Sequence, residues 1–283
     1  MPAGDFMYAH HAYLTLLLGL GSKTSGTFEV IHNHSLHHLP IAMAPTIATP
    51  MLTTLHTPPT PWLESAIKAA SCSSMRYVAV SEHTAREWRP IAGPVQVVYN
   101  GIDPIRWPKG EGGDELIWFG RITAEKGTHL AVEAARRAGR HLLLAGPVAD
   151  RSYYEQWVEP ELGHGATYLG HLVQSDLAKH VGRCAATLVT PVWDEPYALV
   201  IAESMSCGTP VVAFRRGGMP ELIGSTGGVI VEPGDVVALA AAIPRAAQLS
   251  RAGVAAHART RCSIASMVDQ YEYLYDELHE MSS

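Results

Sequence analysis

The stretch Pro191–Pro210, PVWDEPYALVIAESMSCGTP, decides the fold. An apolar strand-like run, Ala185–Thr190, leads into it. A turn containing Pro follows, then an Ala/Met/Ser-rich helical run that stops at Gly208, and Pro210 opens another strand, Val211–Phe214. Strand, loop, helix and strand in that order predict a parallel sheet with the helix as its crossover. In open parallel sheets, ligands bind beyond the carboxyl ends of strands, at the loop leading into the next helix. The first amides of such a helix have no intrahelical partner and its macrodipole is positive there, so the place suits a phosphate. Two carboxylates, Glu195 on the loop and Glu203 within the helix, bracket the turn. A merely structural turn needs neither.

Outward from this unit the same alternation continues. Towards the carboxyl end, the strand Val229–Val231 precedes a helix over Val236–Ser250, and a last helix over Ile264–Met281 carries Met267, Tyr271, Leu274 and Leu278 on one face. Towards the amino end, strands are predicted at Leu116–Phe119, His141–Ala145 and Ala166–Leu169. Helices are predicted at Thr128–Ala138, around Ser152–Leu162 and at Ser175–Arg183, with Ser175 as a cap. Before residue 107 the pattern gives strands Phe28–His32, Met51–Leu55, Arg76–Val80 and Val95–Tyr99. Helices there are Trp62–Ser71 and Glu82–Trp88, the second capped by Ser81. The first 20 residues read as helix, followed by a Gly/Ser/Thr linker at Gly19–Gly26. The segment Trp107–Asp114 is rich in Pro, Gly and charge and marks the boundary between two doubly wound parallel-sheet domains. The expected division is 1–107, 108–263 and a terminal helix, 264–283, that packs back towards the first domain.

With 47% hydrophobic and 17% charged residues in 283, the composition is that of a globular chain long enough for two cores. A net charge of −6 without a Lys/Arg-rich run excludes a protein built to hold nucleic acid. The four cysteines, Cys72, Cys184, Cys207 and Cys262, are widely spaced and form no C-x-x-C pair, so they read as buried small hydrophobes in a reducing compartment. No apolar run approaches the roughly 20 residues of a membrane-spanning helix. A cytoplasmic protein without a transmembrane segment is expected. The histidines His32, His34, His37 and His38 are closely spaced but have no neighbouring Asp, Glu or Cys, so they read as facing solvent or substrate rather than a metal.

Five stretches carry a resemblance: Phe119-Gly-Arg121 with Glu125-Lys-Gly127; Glu195-Pro-Tyr197 with Glu203; Cys207–Val212; Gly217–Glu221; and Val98–Asp103. Taken in their order along the chain, they resemble the family-4 glycosyltransferases of the GT-B arrangement, two Rossmann-like domains facing a cleft. The resemblance implies a retaining, metal-independent transferase that moves a sugar from a nucleotide-diphosphate sugar, a UDP- or GDP-sugar, to a sugar, lipid or small-molecule hydroxyl. No further cofactor is implied. By resemblance, Arg121 and Lys126 stabilise the leaving diphosphate, Glu203 accepts the ribose hydroxyls, and Glu195 holds sugar hydroxyls near the reacting carbon. The amides at Tyr197, Ala198 and Leu199 complete the phosphate clamp, the base lies against the backbone at Leu172, and His56 faces the donor sugar from the first domain. The chain has no D-x-D sequence. Since no nucleophile stands near His56 in the sequence, front-face transfer is expected, with the departing phosphate taking the acceptor proton.

Two departures from the family pattern qualify these expectations. The residue after Tyr197 is Ala198 where the family has Gly; a positive φ there would cost about 1 kcal/mol, a helical one nothing. The family's first strand and Gly-rich loop have no match, so a reduced first domain is expected. The alternative that follows is a nucleotide-sugar-binding protein without transferase activity. An epimerase or a phosphorylase of the same architecture is a third reading. Before residue 110 no carboxylate sits beside His56, and no pyridoxal-lysine motif is evident.

Overall fold

The structure, a computed structural model, describes residues 3–22, 28–70 and 75–280, with side chains from residue 6. Cys72 and part of the Gly19–Gly26 linker lie outside the described residues. The chain forms two compact units, Met1–Tyr99 with Met267–Ser283, and Asn100–Ser266.

In the first unit the helix α1 (Ala3–Gly21) precedes four strands, β1 (Ile31–Asn33), β2 (Met51–Leu55), β3 (Met75–Ala79) and β4 (Val95–Val97). All pair in parallel, in the order β1-β2-β3-β4. Strand β2 is buried along its whole length, as a strand with covered faces must be. The helices α2 (Leu39–Met43), α3 (Pro61–Ala69) and α4 (Glu82–Ala92) connect the strands. Ser81 caps α4 as expected, its hydroxyl accepting the Thr84 amide at 3.1 Å. One core gathers Ile41, Met51, Leu55, Leu63, Ile67 and Trp88; a second joins Leu52, Val78 and Val98 to Tyr271, Leu274 and Leu278 of the terminal helix.

The second unit holds six parallel strands: β5 (Leu116–Phe119), β6 (Leu142–Ala145), β7 (Ala166–Tyr168), β8 (Ala186–Val189), β9 (Val211–Phe214) and β10 (Gly228–Val231). Their order is β10-β9-β8-β5-β6-β7, so the winding reverses between β5 and β8. This is the dinucleotide-fold strand order, and its reversal opens a crevice at the carboxyl ends of the two central strands. The helices are α5 (Thr128–Arg137), α6 (Arg151–Trp157), α7 (Gln174–Gly182), α8 (Leu199–Ser206), α9 (Met219–Ile223), α10 (Val236–Ala247), α11 (Arg251–Arg261) and α12 (Ile264–Glu280), the last running on into the first unit.

Two local readings change. Ser175 does not cap α7, whose N-cap is Val173 with no side-chain bond. The helix predicted to run to Ser250 stops at Ala247, and Ser250 caps a separate helix, α11, by accepting the Gly253 amide at 3.2 Å. That break places Arg251 so that its guanidinium donates to the carbonyls of Gly182, Cys184 and Cys207 and to the Thr209 hydroxyl, at 2.9–3.1 Å. One side chain thus reaches carbonyls at the ends of α7 and α8, two of which also accept the amides of Gly112 and Gly110. Cys184, Cys207 and Cys262 are free and buried, and burial pushes the thiols of Cys184 and Cys207 up to about 12, so they are inert packing groups. Among the described residues no helix is long and apolar enough to cross a membrane.

Candidate functional site

The loops after β5, β8 and β9 are laced together by backbone contacts that leave room only for glycine. Gly127 has φ 65°, and a methyl there would overlap the Thr190 carbonyl oxygen. In return the Thr190 hydroxyl donates to Gly127 O at 2.8 Å, and the Val192 amide donates to Glu125 O at 2.9 Å. Gly217 has φ 51° and lies against the Glu195 backbone; the next amide, Gly218 N, donates to Glu195 O at 2.8 Å. The Gly217 amide itself donates to Asp194 Oδ1 at 3.2 Å. Three loops at the switch point therefore act as one rigid rim.

This rim brings Lys126 and Glu195 together. Lys126 ends a 3-10 turn, Ala124–Lys126, and its ammonium pairs with Glu195 Oε1. The Trp193 indole N–H donates to the same Oε1 at 2.9 Å, and its ring lies under the Lys126 ammonium, 5.4 Å from the centroid. The Glu195 side chain is only 9% exposed, so the pair is mostly shielded from solvent screening. Arg121 does not join it: its guanidinium bonds the Glu125 carboxylate at 3.1 Å on the exposed side of the loop.

Ala198 adopts φ 64°, ψ 76° and is the one described non-glycine residue with positive φ. Of the two alternatives the sequence left open, the positive φ is the one adopted, and its strain sits directly before α8. Strain at such a point is what a functional turn retains and a structural one sheds. Ile201 N closes the helix onto Ala198 O at 3.0 Å, so the amides of Leu199 and Val200 precede the first intrahelical bond. Tyr197 is buried, and its hydroxyl donates to Asn100 O at 2.7 Å. Only its backbone remains for a ligand. Leu172 lies half-buried on the segment after β7, on the same carboxyl edge of the sheet.

Glu203 stands on α8, its carboxyl makes no hydrogen bond or ion pair with the described residues, and burial raises its pKa from 4.5 to about 7. A half-buried acceptor with nothing to accept from is a place for hydroxyl donors.

His56 belongs to the first unit, just past β2, and its Nε2 is 2.9 Å from Nδ1 of His34. His34 stacks on His32 with centroids 3.9 Å apart, and His32 bonds the hydroxyls of Thr54 at 2.8 Å and Tyr275 at 2.6 Å. Burial lowers the pKa of all three imidazoles, that of His32 to about 4. Among the described residues no group of three or more His, Cys, Asp or Glu is arranged to hold a metal. The sequence gives no role to Trp193 or Thr190, and reads His34 only as facing solvent or substrate. Trp193 and Thr190 flank Glu195 within the loop already singled out, and that proximity was the available signal.

Residues 4–106 match the family described as Glycosyltransferase Family 4, and residues 113–248 match Glycosyl transferases group 1. The chain belongs to the family-4 glycosyltransferases. Within that family it is 29% identical over 258 residues to a glycogen synthase of Mycobacterium tuberculosis, an alignment covering 79% of this chain and 61% of the relative. An alpha-maltose-1-phosphate synthase of Mycolicibacterium smegmatis is 27% identical over 253 residues, covering 80% of this chain and 64% of its own length. The chain thus spans about three fifths of the length of these curated relatives. Among solved structures, Anabaena HepE in complex with UDP-glucose superposes with a TM-score of 0.79 at 19% identity, covering 94% of this chain and 82% of that one. AviGT4, involved in avilamycin A biosynthesis, gives 0.73 at 21%, covering 95% and 79%. These likenesses establish the fold as that of the GT-B glycosyltransferases.

Proposed function

We propose that the chain transfers a sugar from a nucleotide-diphosphate sugar to a hydroxyl-bearing acceptor. The observation that carries this reading is the meeting of Lys126 and Glu195 at the switch point of the second sheet, with α8 opening beside them. As the sugar leaves, negative charge grows on the diphosphate, and a preorganised ammonium and helix-start amides stabilise it there. Arg121, exposed beside Lys126, adds charge after exchanging Glu125 for phosphate. The unpartnered carboxyl of Glu203 receives the ribose hydroxyls, and Glu195 receives those of the sugar. With Lys126 and Arg121 as its cations, the reading needs no metal on the diphosphate.

Retention of configuration by front-face attack goes with this arrangement. Double displacement needs a second carboxyl close behind the anomeric carbon, whereas the hydrogen bond found for His56 is to an imidazole, His34. Because HepE was solved with UDP-glucose, UDP-sugars are the first donors to try and GDP-sugars the second.

The test is nucleoside diphosphate release from a panel of UDP-, GDP- and ADP-sugars with EDTA present, with thermal shift in parallel. Release that survives EDTA and falls at least about 100-fold in Lys126→Ala and in Glu203→Ala is the expected result. Undiminished release in both variants would remove the site assignment. Stabilisation by a nucleotide without any release would reduce the reading to nucleotide-sugar binding alone.

A further inference from the structure

We propose that Trp193 is a positioning residue of the donor site: its indole N–H and Lys126 together take Oε1 of Glu195, leaving Oε2 to receive the hydroxyls of a bound sugar. This rests on the donor-site reading above and adds to it the residue that aims the carboxylate.

The Glu195 side chain is only 9% exposed, yet its bonds are unevenly shared. Oε1 accepts from both Lys126 and Trp193, while Oε2 accepts from none of the described residues. A carboxylate this buried is costly unless its oxygens are bonded. It can only accept, so the group that completes it must be a donor such as a sugar hydroxyl, and a phosphate would be repelled. The carboxylate plane is free to turn about its last torsion unless something holds it. A fixed N–H on a ring wedged beside Lys126 does so at one oxygen and thereby directs the other.

The indole face has a second task. It holds the Lys126 ammonium at 5.4 Å from the ring centroid, so Lys126 keeps its place when a diphosphate competes with Glu195 for its protons. The two tasks separate chemically. Phenylalanine keeps the face and loses the N–H; leucine loses both.

Calorimetric affinities for UDP and UDP-glucose, and for GDP and GDP-mannose, would be compared in wild type, Trp193→Phe and Trp193→Leu. The indole N–H resonance of Trp193 would be followed by NMR in the ligand-free chain. Trp193→Phe should weaken the nucleotide sugar about tenfold while the plain nucleotide stays within about twofold; Trp193→Leu should weaken both. The resonance should shift in Glu195→Gln. Equal losses for nucleotide and nucleotide sugar in Trp193→Phe, or no loss at all, would overturn the assignment of Trp193 and leave the donor site intact. So would an indole resonance indifferent to Glu195→Gln. If wild type binds none of these four ligands and none of the ADP-sugars of the donor panel, the donor-site reading falls, and this assignment with it.

Discussion

The two units solve the same problem, a parallel sheet with an open carboxyl edge, in different materials. In the second unit the edge is built from backbone. The sheet reverses its winding between β5 and β8, and Gly127 and Gly217 let three loops touch where any side chain would collide. In the first unit the strands follow one another in sequence order with no reversal, and the edge is filled with side chains. His32, His34 and His56 bond and stack there, and Phe6, His37, His38 and Trp62 form a second group of rings, with His37 and His38 stacked at 4.5 Å. A backbone-built edge places charges rigidly for one ligand chemistry. The second unit is therefore legible as motifs, while the first is legible only as a cluster of rings.

The sharpest way to break this contrast is at Gly127. Gly127→Ala should destabilise the second unit by on the order of 3 kcal/mol or more, since the methyl meets the Thr190 carbonyl in addition to the positive φ. Gly170→Ala is the control: φ there is 78° but no atom lies within 4 Å, so only about 1 kcal/mol is expected. Equal effects, measured by urea unfolding, would mean that the rim is not close-packed.

A second test uses pH, because the two units carry opposite signs. Burial holds a proton on Glu203 in the folded state up to about pH 7, against 4.5 in the unfolded chain. Stability of the second unit is therefore lost as pH rises from 4.5 to 7. Glu203→Gln should recover on the order of 1–3 kcal/mol at pH 8 and nothing at pH 4. His32 behaves in reverse: its folded pKa of about 4 lies below the ordinary 6.5, so the first unit loses stability as pH falls from 6.5 to 4. His32→Asn should flatten that slope, even though losing its bonds to Thr54 and Tyr275 lowers stability at pH 8. Hydrogen exchange in β2 and β3 against β5 and β8 resolves the two. Slopes of the same sign would contradict the burial of one group or the other.

The smallest effect is expected at Ala198. Ala198→Gly relieves the positive φ but gives the unfolded chain more freedom, so the gain should be at most about 1 kcal/mol. A loss of stability would mean that the methyl packs favourably enough to outweigh its strain.

Much of this was readable in the chain itself. All ten described strands follow from apolar runs punctuated by Gly, Pro and Asn, and the loop–helix turn at Glu195 announces itself by carboxylates that a plain turn would lack. Less was readable at the end of α10. The Ala-rich run there gives no reason to stop at Ala247, and only the packing of Arg251 onto three carbonyls explains a new helix. Trp193 was equally silent, because an indole two residues before a carboxylate is ordinary until the ring is seen under Lys126.

Period, punctuation and motif order are local properties, written along the chain, and they determined the strands, most of the longer helices and the family. Strand order, the sign of φ at Ala198, the pairing of Lys126 with Glu195 and the desolvation of Glu203 join residues distant in sequence or depend on how loops close on one another. Only the tertiary structure decided those, because a pairing or a local dielectric exists only once the chain has packed.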